Sequence, residues 1–242
     1  MNAVLAEVDR LKLSDRSGKI VFLAMELSLV ILLSCVTLRQ NAFWRDDITL
    51  WTSVIERAPD RVSRAYYNRG MAFKERGQLD AAIRDFTTSI DLEPAADAYT
   101  HRGAALYEKR LFESAVSDYT VAIATDPDYA GAYAFRGRAF GEAGLLERAI
   151  EDFTVAVSLD PRDSGSYCNR GVAFKKMGSY DKALEDFSAA LSLSPDFVKA
   201  YLDRASTYAM KGNAERAVKD YQKACALGSK PGCEAVRLLR NR

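Results

Sequence analysis

The sequence predicts an all-α protein in which five helix-turn-helix units stack side by side into a solenoid. A pattern with a period of about 34 residues occurs five times between residues 61 and 229. Each copy places aromatic and small residues at helical spacing, and a proline closes each of the first four copies. Because one helix pair cannot bury its apolar face alone, units of this kind form a core only by stacking on their neighbours.

The first copy shows how the residues predict this structure. Tyr66, Gly70 and Phe73 are four and then three residues apart, so they share one face of a helix. Gly77 marks the end of that helix, since glycine adopts left-handed backbone angles without steric cost. A second helix with the same apolar spacing follows, and Pro94 prevents its continuation.

The recurring aromatic, glycine, alanine and proline positions resemble the tetratricopeptide repeat over residues 60–228. This resemblance implies a right-handed superhelical solenoid whose concave groove binds a protein or peptide. The repeats are placed at 61–94, 95–127, 128–161, 162–195 and 196–229. A linker and half repeat at 40–60 is expected to cap the first repeat, and a helix at 230–242 is expected to cap the last.

The N-terminal part of the chain differs from the repeats. After a mixed segment at 1–16, the 19 residues from Ile20 to Leu38 contain one charged side chain, that of Glu26. A run of about 18–20 apolar residues is long enough to cross a bilayer as a helix. We therefore expect a transmembrane helix at 17–39. The alternatives are a helix buried in a core or a partner protein, and a signal sequence.

The segment after the apolar run predicts a short helix. Asp46 or Asp47 can cap it, and Pro59 ends it. Trp44 can lie at a bilayer interface or pack on the first repeat. The junction resembles that of multi-pass, O-mannosyl-type glycosyltransferases with tetratricopeptide repeats at Arg39, Asn41, Trp44, Arg45, Asp46, Leu50 and Trp51. This resemblance implies a C-terminal module of a transferase that positions an acceptor protein, although the loop with that family's catalytic acidic residues has no counterpart here.

The C-terminal segment carries two cysteines. Pro231 suits the first turn of a last helix. Cys225 and Cys233, with seven residues between them, resemble the cysteine pair that bridges helices in Sel1-like repeats. A small excess of basic residues before the apolar run favours an extracytoplasmic solenoid, where these cysteines would form a disulfide. In a cytoplasmic solenoid both thiols would stay reduced and pack as small apolar groups.

One arginine and one aspartate recur in every copy, before the small residue and before the second aromatic residue. A half-buried guanidinium needs a partner, because an unpaired buried charge is costly. We expect a structural ladder of arginine–carboxylate bonds, with ligand-binding arginines as the alternative. Its members are Arg69, Arg102, Arg136, Arg170, Arg204, Asp85, Asp118, Asp152, Asp186 and Asp220. Asp152→Ala is expected to destabilise the fold more than Arg136→Leu.

The first helix of each copy is expected to line the concave groove. Two adjacent positions per helix are candidates for protein binding: Tyr67, Asn68, Thr100, His101, Ala134, Phe135, Cys168, Asn169, Leu202 and Asp203. Chaperone-binding tetratricopeptide repeats hold a terminal carboxylate with a clamp of lysine and asparagine. The sequence does not predict this clamp, because positions 67 and 100 carry tyrosine and threonine instead of lysine. Cys168 is expected to be a small buried apolar residue and not a nucleophile.

The composition argues against several function classes. The 34 lysines and arginines balance 33 aspartates and glutamates, which does not favour a nucleic-acid partner. One histidine and four cysteines without metal-ligand spacing predict no metal site and no cofactor. We therefore expect a membrane-tethered scaffold for a protein or peptide and not an enzyme. The alternatives are the glycosyltransferase module and a soluble adaptor whose apolar segment packs into a partner.

Overall fold

The computed structural model describes residues 24–25, 27–33 and 46–240 of the chain. The chain divides into two compact units, Met1–Pro59 and Asp60–Arg242. Between residues 46 and 240 the backbone forms twelve α-helices joined by turns. The all-α solenoid that the repeat pattern predicted is confirmed.

In the first unit, helix α1 spans Asp47–Arg57. It begins directly after Asp46, whose carboxylate accepts a hydrogen bond from the Thr49 hydroxyl at 2.8 Å. It ends shortly before Pro59, so both ends lie where the sequence placed them. The role of this helix as a half repeat that caps the solenoid stays a prediction.

The single-pass membrane anchor predicted at 17–39 is wrong. Among the residues that the structure describes, no helix combines the length and the apolar character that a bilayer crossing requires. The described residues of this segment, 24–25 and 27–33, are helical and have exposed side chains. The extracytoplasmic location of the solenoid was predicted from the basic residues that flank this anchor, so that prediction loses its basis as well. The segment 1–16, the rest of 17–39 and Trp44 lie outside the described residues.

The second unit consists of five helix pairs and a final helix. The first helix of each pair has 13 residues, and the second has 13 or 14. The pairs are α2 Ser63–Glu75 with α3 Leu79–Leu92, α4 Ala96–Glu108 with α5 Phe112–Thr125, α6 Ala130–Glu142 with α7 Leu146–Leu159, α8 Ser164–Lys176 with α9 Tyr180–Leu193, and α10 Val198–Met210 with α11 Ala214–Ala226. The final helix, α12, spans Lys230–Arg240.

A residue with left-handed backbone angles separates the two helices of every pair. In four pairs it is a glycine, with φ between 72° and 78°: Gly77, Gly144, Gly178 and Gly212. In the second pair it is Arg110, with φ 64°, whose guanidinium lies 5.3 Å from the centre of the Phe112 ring. Since only glycine takes these angles without steric cost, the turn of the second pair is the strained one.

The two helices of a pair meet where a small residue faces an aromatic ring. In the fourth pair, a Cβ atom added to Gly171 would lie 2.8 Å from Cε1 of Phe187, whose ring is fully buried. The same contact occurs between Gly70 and Phe86, Gly103 and Tyr119, and Gly137 and Phe153. The missing side chain therefore sets how closely the helices pack.

A disulfide between Cys225 and Cys233 joins the final helix α12 to α11. The two helices also approach closely, because a Cβ atom on Gly232 would lie 3.0 Å from the Cys225 nitrogen. The Gly232 N–H donates to the Ser229 hydroxyl at 3.2 Å, which holds the first turn of α12. Helix α12 thus packs on the last helix pair.

Each recurring arginine forms two hydrogen bonds with the recurring aspartate of its own pair. Nε donates to Oδ2 and Nη2 donates to Oδ1, over distances of 2.7–2.9 Å. The arginine side chains are 17–20% exposed and the aspartate side chains 7–10%. The pairs are Arg69–Asp85, Arg102–Asp118, Arg136–Asp152, Arg170–Asp186 and Arg204–Asp220.

The remaining guanidinium nitrogen links neighbouring helix pairs. From the second pair onward, Nη1 donates to a hydroxyl of the preceding pair at 3.1–3.2 Å: Arg102 to Thr87, Arg136 to Thr120, Arg170 to Thr154 and Arg204 to Ser188. The hydrogen bond to the aspartate is the main cause that raises the pKa of these four guanidinium groups. All three nitrogens of these four arginines therefore bind within the solenoid, as a structural ladder requires.

We expect Gly171→Ala to lower the free energy of unfolding by about 1–2 kcal/mol, because crowding against the buried Phe187 ring outweighs the gain in helix propensity. Gly141→Ala is the matched control. Its Cβ atom would meet only the Ala149 Cβ at an ordinary 4.0 Å, so it should stabilise the fold by about 0.5–1 kcal/mol. Urea denaturation followed by circular dichroism measures both. Equal effects of the two substitutions would show that the ring does not limit helix spacing.

The exposures of the two ladder side chains favour the opposite order of the two ladder substitutions. Arg136→Leu would leave the Asp152 carboxylate, 7% exposed, without its two donors, whereas Asp152→Ala would leave a guanidinium that is 19% exposed. An unpaired charge costs more where it is more deeply buried. We expect Arg136→Leu to lower the free energy of unfolding by about 2–4 kcal/mol and Asp152→Ala by about 1–3 kcal/mol.

Urea denaturation of the two ladder variants tests this order. Lys219→Gln is the control, since it breaks an ion pair with Glu215 in which both side chains are more than two-thirds exposed, and it should have no measurable effect. If all three variants unfold at the same urea concentration as the unmodified chain, the ladder contributes nothing to stability.

Candidate functional site

The first helices of the five pairs line one side of the second unit, called here the inner surface. Each of these helices, α2, α4, α6, α8 and α10, contacts the next one in the series. All ten residues predicted to bind a protein lie on these helices. Asn68, Ala134 and Leu202 are half-buried there.

Two of the predicted binding residues belong to the core. Thr100 is 1% exposed, and its hydroxyl donates to the Ala96 carbonyl at 2.7 Å. Cys168 is fully buried in a cluster that includes Phe187 of its own pair and Ala200 of the next, and burial raises the pKa of its thiol to about 11. The expectation that Cys168 is a small buried apolar residue is confirmed, and the burial of Thr100 and Cys168 removes both from the residues that can face a ligand.

Tyr67 and His101 form an aromatic group with the buried ring of Phe86. The Tyr67 and His101 ring centres are 5.5 Å apart in an edge-on arrangement, and His101 stacks on Phe86 at 6.1 Å. Burial is the main cause that raises the pKa of Tyr67 and lowers the pKa of His101, and the charge of Lys74 lowers the latter further. The imidazole is therefore neutral at physiological pH.

Phe135 is part of a second aromatic group, which positions an arginine. Its ring stacks on Tyr119 with ring centres 5.8 Å apart. The Arg138 guanidinium lies 5.0 Å from the centre of the Tyr107 ring and 5.9 Å from that of Phe135. Cations bind favourably over aromatic faces, so these rings hold Arg138 on the inner surface.

Asn169 and Asp203 each bind a lysine of another first helix. The Lys199 ammonium donates to Oδ1 of Asn169 at 3.1 Å, and the Lys175 ammonium donates to Oδ1 of Asp203 at 2.6 Å. These contacts join α8 to α10 across the inner surface. The two predicted residues are thus polar parts of the surface with partners of their own.

Two adjacent clefts run along the inner surface. The first is lined by residues of α2, α4 and α6 that include Lys74, His101, Ala104, Tyr107, Phe135 and Arg138. The second is lined by residues of α4, α6, α8 and α10 that include Tyr107, Arg138, Glu142, Asn169, Lys176 and Lys199. Because Tyr107 and Arg138 belong to both, the clefts meet at these two side chains.

The prediction from sequence missed the charged residues of these clefts. Arg138 follows Phe135 by three positions, Lys199 precedes Leu202 by three, and Lys176 follows Asn169 by seven. These are spacings at which side chains share one face of a helix. The signal was therefore present, but the prediction considered only two adjacent positions of each helix.

Three family models described as tetratricopeptide repeat match the chain. They cover residues 63–95 and 165–197, residues 106–164, and residues 198–227. The matches begin with α2 and extend through the five helix pairs. The comparison with curated proteins finds no match.

Several solved structures are similar to this chain over nearly their whole length. A structure of MamA is 26% identical, covers 67% of this chain and 95% of its own, and gives a TM-score of 0.61. MamA 41-end from Desulfovibrio magneticus RS-1 is 19% identical to this chain. The match covers 69% of this chain and 94% of that protein, with a TM-score of 0.63. YrrB, described as a TPR protein with an unusual peptide-binding site, is 22% identical to this chain. The match covers 77% of this chain and 97% of YrrB, with a TM-score of 0.61.

These comparisons do not support the resemblance to glycosyltransferases. The matched family models lie within residues 63–227 and describe the repeat alone. The resemblance depended on a short junction at residues 39–51, in which residues 39–45 lie outside the described part of the chain. A few aromatic and charged residues before a repeat are too weak a pattern to identify a transferase.

We expect the fold to lose stability as pH falls through the titration of His101. Its pKa in the folded state lies below the ordinary value of 6.5, so below about pH 6.5 the unfolded chain binds a proton that the folded chain resists. The contribution of the neutral His101 to stability is therefore fully present above about pH 6.5 and declines as the pH falls towards the folded-state pKa. Thermal denaturation between about pH 7.5 and pH 5 measures this decline.

His101→Gln is the matched variant for this test, since His101 is the only histidine in the chain. The variant should remove the part of the decline that begins near pH 6.5 and leave the carboxylate titrations at lower pH. Parallel curves for the unmodified chain and the variant would show that the folded state does not shield this imidazole.

Proposed function

Because the chain belongs to the tetratricopeptide-repeat proteins, we propose that it is a scaffold whose inner surface binds an extended segment of another protein. The observation that carries this proposal is the pair of clefts that meet at Tyr107 and Arg138. Together they run across all five first helices and offer a continuous path. A path of this kind suits an extended peptide better than a compact small molecule.

The side chains along this path suit protein recognition. Aromatic rings of Tyr107 and Phe135 lie beside the cation of Arg138, and the Asn169 amide and Lys199 ammonium follow on the next two first helices. Aromatic residues and arginine contribute most to protein interfaces, because they combine apolar contact area with polar groups that orient the partner. A peptide can bury apolar side chains against the rings and place its polar groups against the charged rim.

A role in binding without catalysis is part of this proposal. The Cys168 thiol is fully buried with its pKa raised to about 11, which disfavours the thiolate that a nucleophile needs. The His101 imidazole is packed against the Tyr67 and Phe86 rings and serves as part of the surface. YrrB is described as having a peptide-binding site, and at this identity its likeness to the chain concerns the fold alone.

A substitution that fills the first cleft tests the proposal. Ala104 is half-buried and lines that cleft between His101 and Tyr107, so Ala104→Trp would occupy the space of a ligand side chain. We expect peptides selected from a display library on the full chain to bind Ala104→Trp at least about tenfold more weakly. Fluorescence anisotropy with the labelled peptides measures the affinity.

Ala124→Trp is the control, because Ala124 is exposed on the second helix α5 and lies off the inner surface. It should bind the selected peptides as the unmodified chain does, and circular dichroism should show that both variants are folded. A library that yields no binding peptide, or peptides that bind both variants equally well, would contradict a binding site on the inner surface.

A further inference from the structure

We propose that the segment bound on the inner surface is acidic, with several carboxylates that bind Arg138, Lys176 and Lys199. This inference rests on the proposed function and names the chemistry of its ligand. It follows from which charges of the inner surface have partners and which do not. The whole chain has a net charge of only +1, so any excess of positive charge in the clefts is local.

Most of the other charged groups on the inner surface neutralise one another. Lys175 pairs with Asp203 at 2.6 Å, and Lys74 lies 3.8 Å from Glu108. Arg64 lies 3.4 Å from Asp97 in a more exposed pair. These pairs join neighbouring first helices, and their cations already have a carboxylate partner.

Three cations of the second cleft differ from these. In the part of the chain that the structure describes, Arg138, Lys176 and Lys199 form no ion pair with a carboxylate. The Lys199 ammonium donates only to the neutral amide of Asn169. One carboxylate, that of Glu142, lines the same cleft. The second cleft therefore has an excess of positive charge, which an anionic ligand would neutralise.

Arg138 is positioned to bind a carboxylate through both of its terminal nitrogens. Its guanidinium lies over the Tyr107 ring, and a guanidinium stacked on an aromatic face keeps the N–H groups of its planar edge available. Paired N–H donors match the two oxygens of a carboxylate, and such bidentate bonds are among the strongest in proteins. The rings of Tyr107 and Phe135 beside it favour an aromatic or aliphatic residue next to the acidic one.

The arrangement of the three cations specifies an extended ligand. Arg138 lies on α6, Lys176 on α8 and Lys199 on α10, so they come from three successive helix pairs. A single carboxylate can contact one or two of them, but a segment that lies across the helices with acidic side chains in its middle can contact all three. We therefore assign internal acidic side chains, and not a terminal carboxylate alone, as the groups that are recognised.

The test uses the full chain and defined peptides. The probe is a fluorescein-labelled, C-terminally amidated peptide of about ten residues in which glutamate alternates with phenylalanine and serine, measured by fluorescence anisotropy. Matched peptides carry glutamine or lysine in place of glutamate. We expect the glutamate peptide to bind at least about tenfold more tightly than either, and this binding to weaken as salt rises to about 0.5 M.

Variants then identify the residues responsible. Arg138→Gln should weaken binding of the glutamate peptide about tenfold, and Arg138→Lys should retain part of the affinity, since it keeps the charge but loses the bidentate geometry. Lys176→Gln and Lys199→Gln should each weaken binding by a smaller factor. Lys219→Gln removes one exposed positive charge from α11 and should leave binding unchanged.

Three results would overturn the inference. They are equal affinity for the glutamate and lysine peptides, binding only when the peptide ends in a free carboxylate, and tighter binding of a single-stranded oligonucleotide of similar charge. The proposed function fails separately. If neutral peptides bind and Ala104→Trp abolishes their binding, the inner surface is a peptide site that does not require acid. If no peptide binds, both proposals fail.

Discussion

The contact between a residue without a side chain and an aromatic ring determines how each helix pair is built. At Gly103 and Gly171 an added Cβ atom would lie 2.8 Å from the facing ring, so even a methyl group would separate the helices. The fifth pair is the informative exception. It has Ala205 at this position, and its corresponding ring, Tyr221, is half-buried instead of buried. The last pair thus tolerates the methyl group where its ring is less confined, and the covalent bond between Cys225 and Cys233 adds a constraint at that end.

The arginine–aspartate ladder places charged groups inside the solenoid without leaving any of them unpaired. Each aspartate accepts two hydrogen bonds from one guanidinium, and the third nitrogen reaches a hydroxyl of the preceding pair in four cases. Such bonds need a fixed geometry, so they specify both the packing within a pair and the register between pairs. They also separate two classes of arginine, because the ladder arginines have partners within the solenoid, whereas Arg138 lies over the aromatic rings of Tyr107 and Phe135.

The inner surface combines features that are common in peptide recognition. Aromatic rings give apolar contact area, and the paired charges between neighbouring first helices keep those helices in place. Three cations and one carboxylate line the second cleft. Each feature draws residues from more than one helix pair, so no single repeat contains the site. This explains how a regular framework can carry a specific surface. The ladder and the small residues repeat, whereas equivalent cleft positions such as Ala104, Arg138 and Val172 carry different residues in successive pairs.

The sequence by itself determined the number of repeats, the recurring small and aromatic positions and the charged residues of the ladder. Each of these recurs with the same period, and a period is visible without coordinates. Tertiary structure alone decided that Thr100 is buried, that Asp152 is less exposed than Arg136, and that Cys225 bonds to Cys233. It also decided which cations of the inner surface have carboxylate partners. Burial and pairing depend on which helix pair lies next to a residue, and a pattern within one repeat does not contain that information.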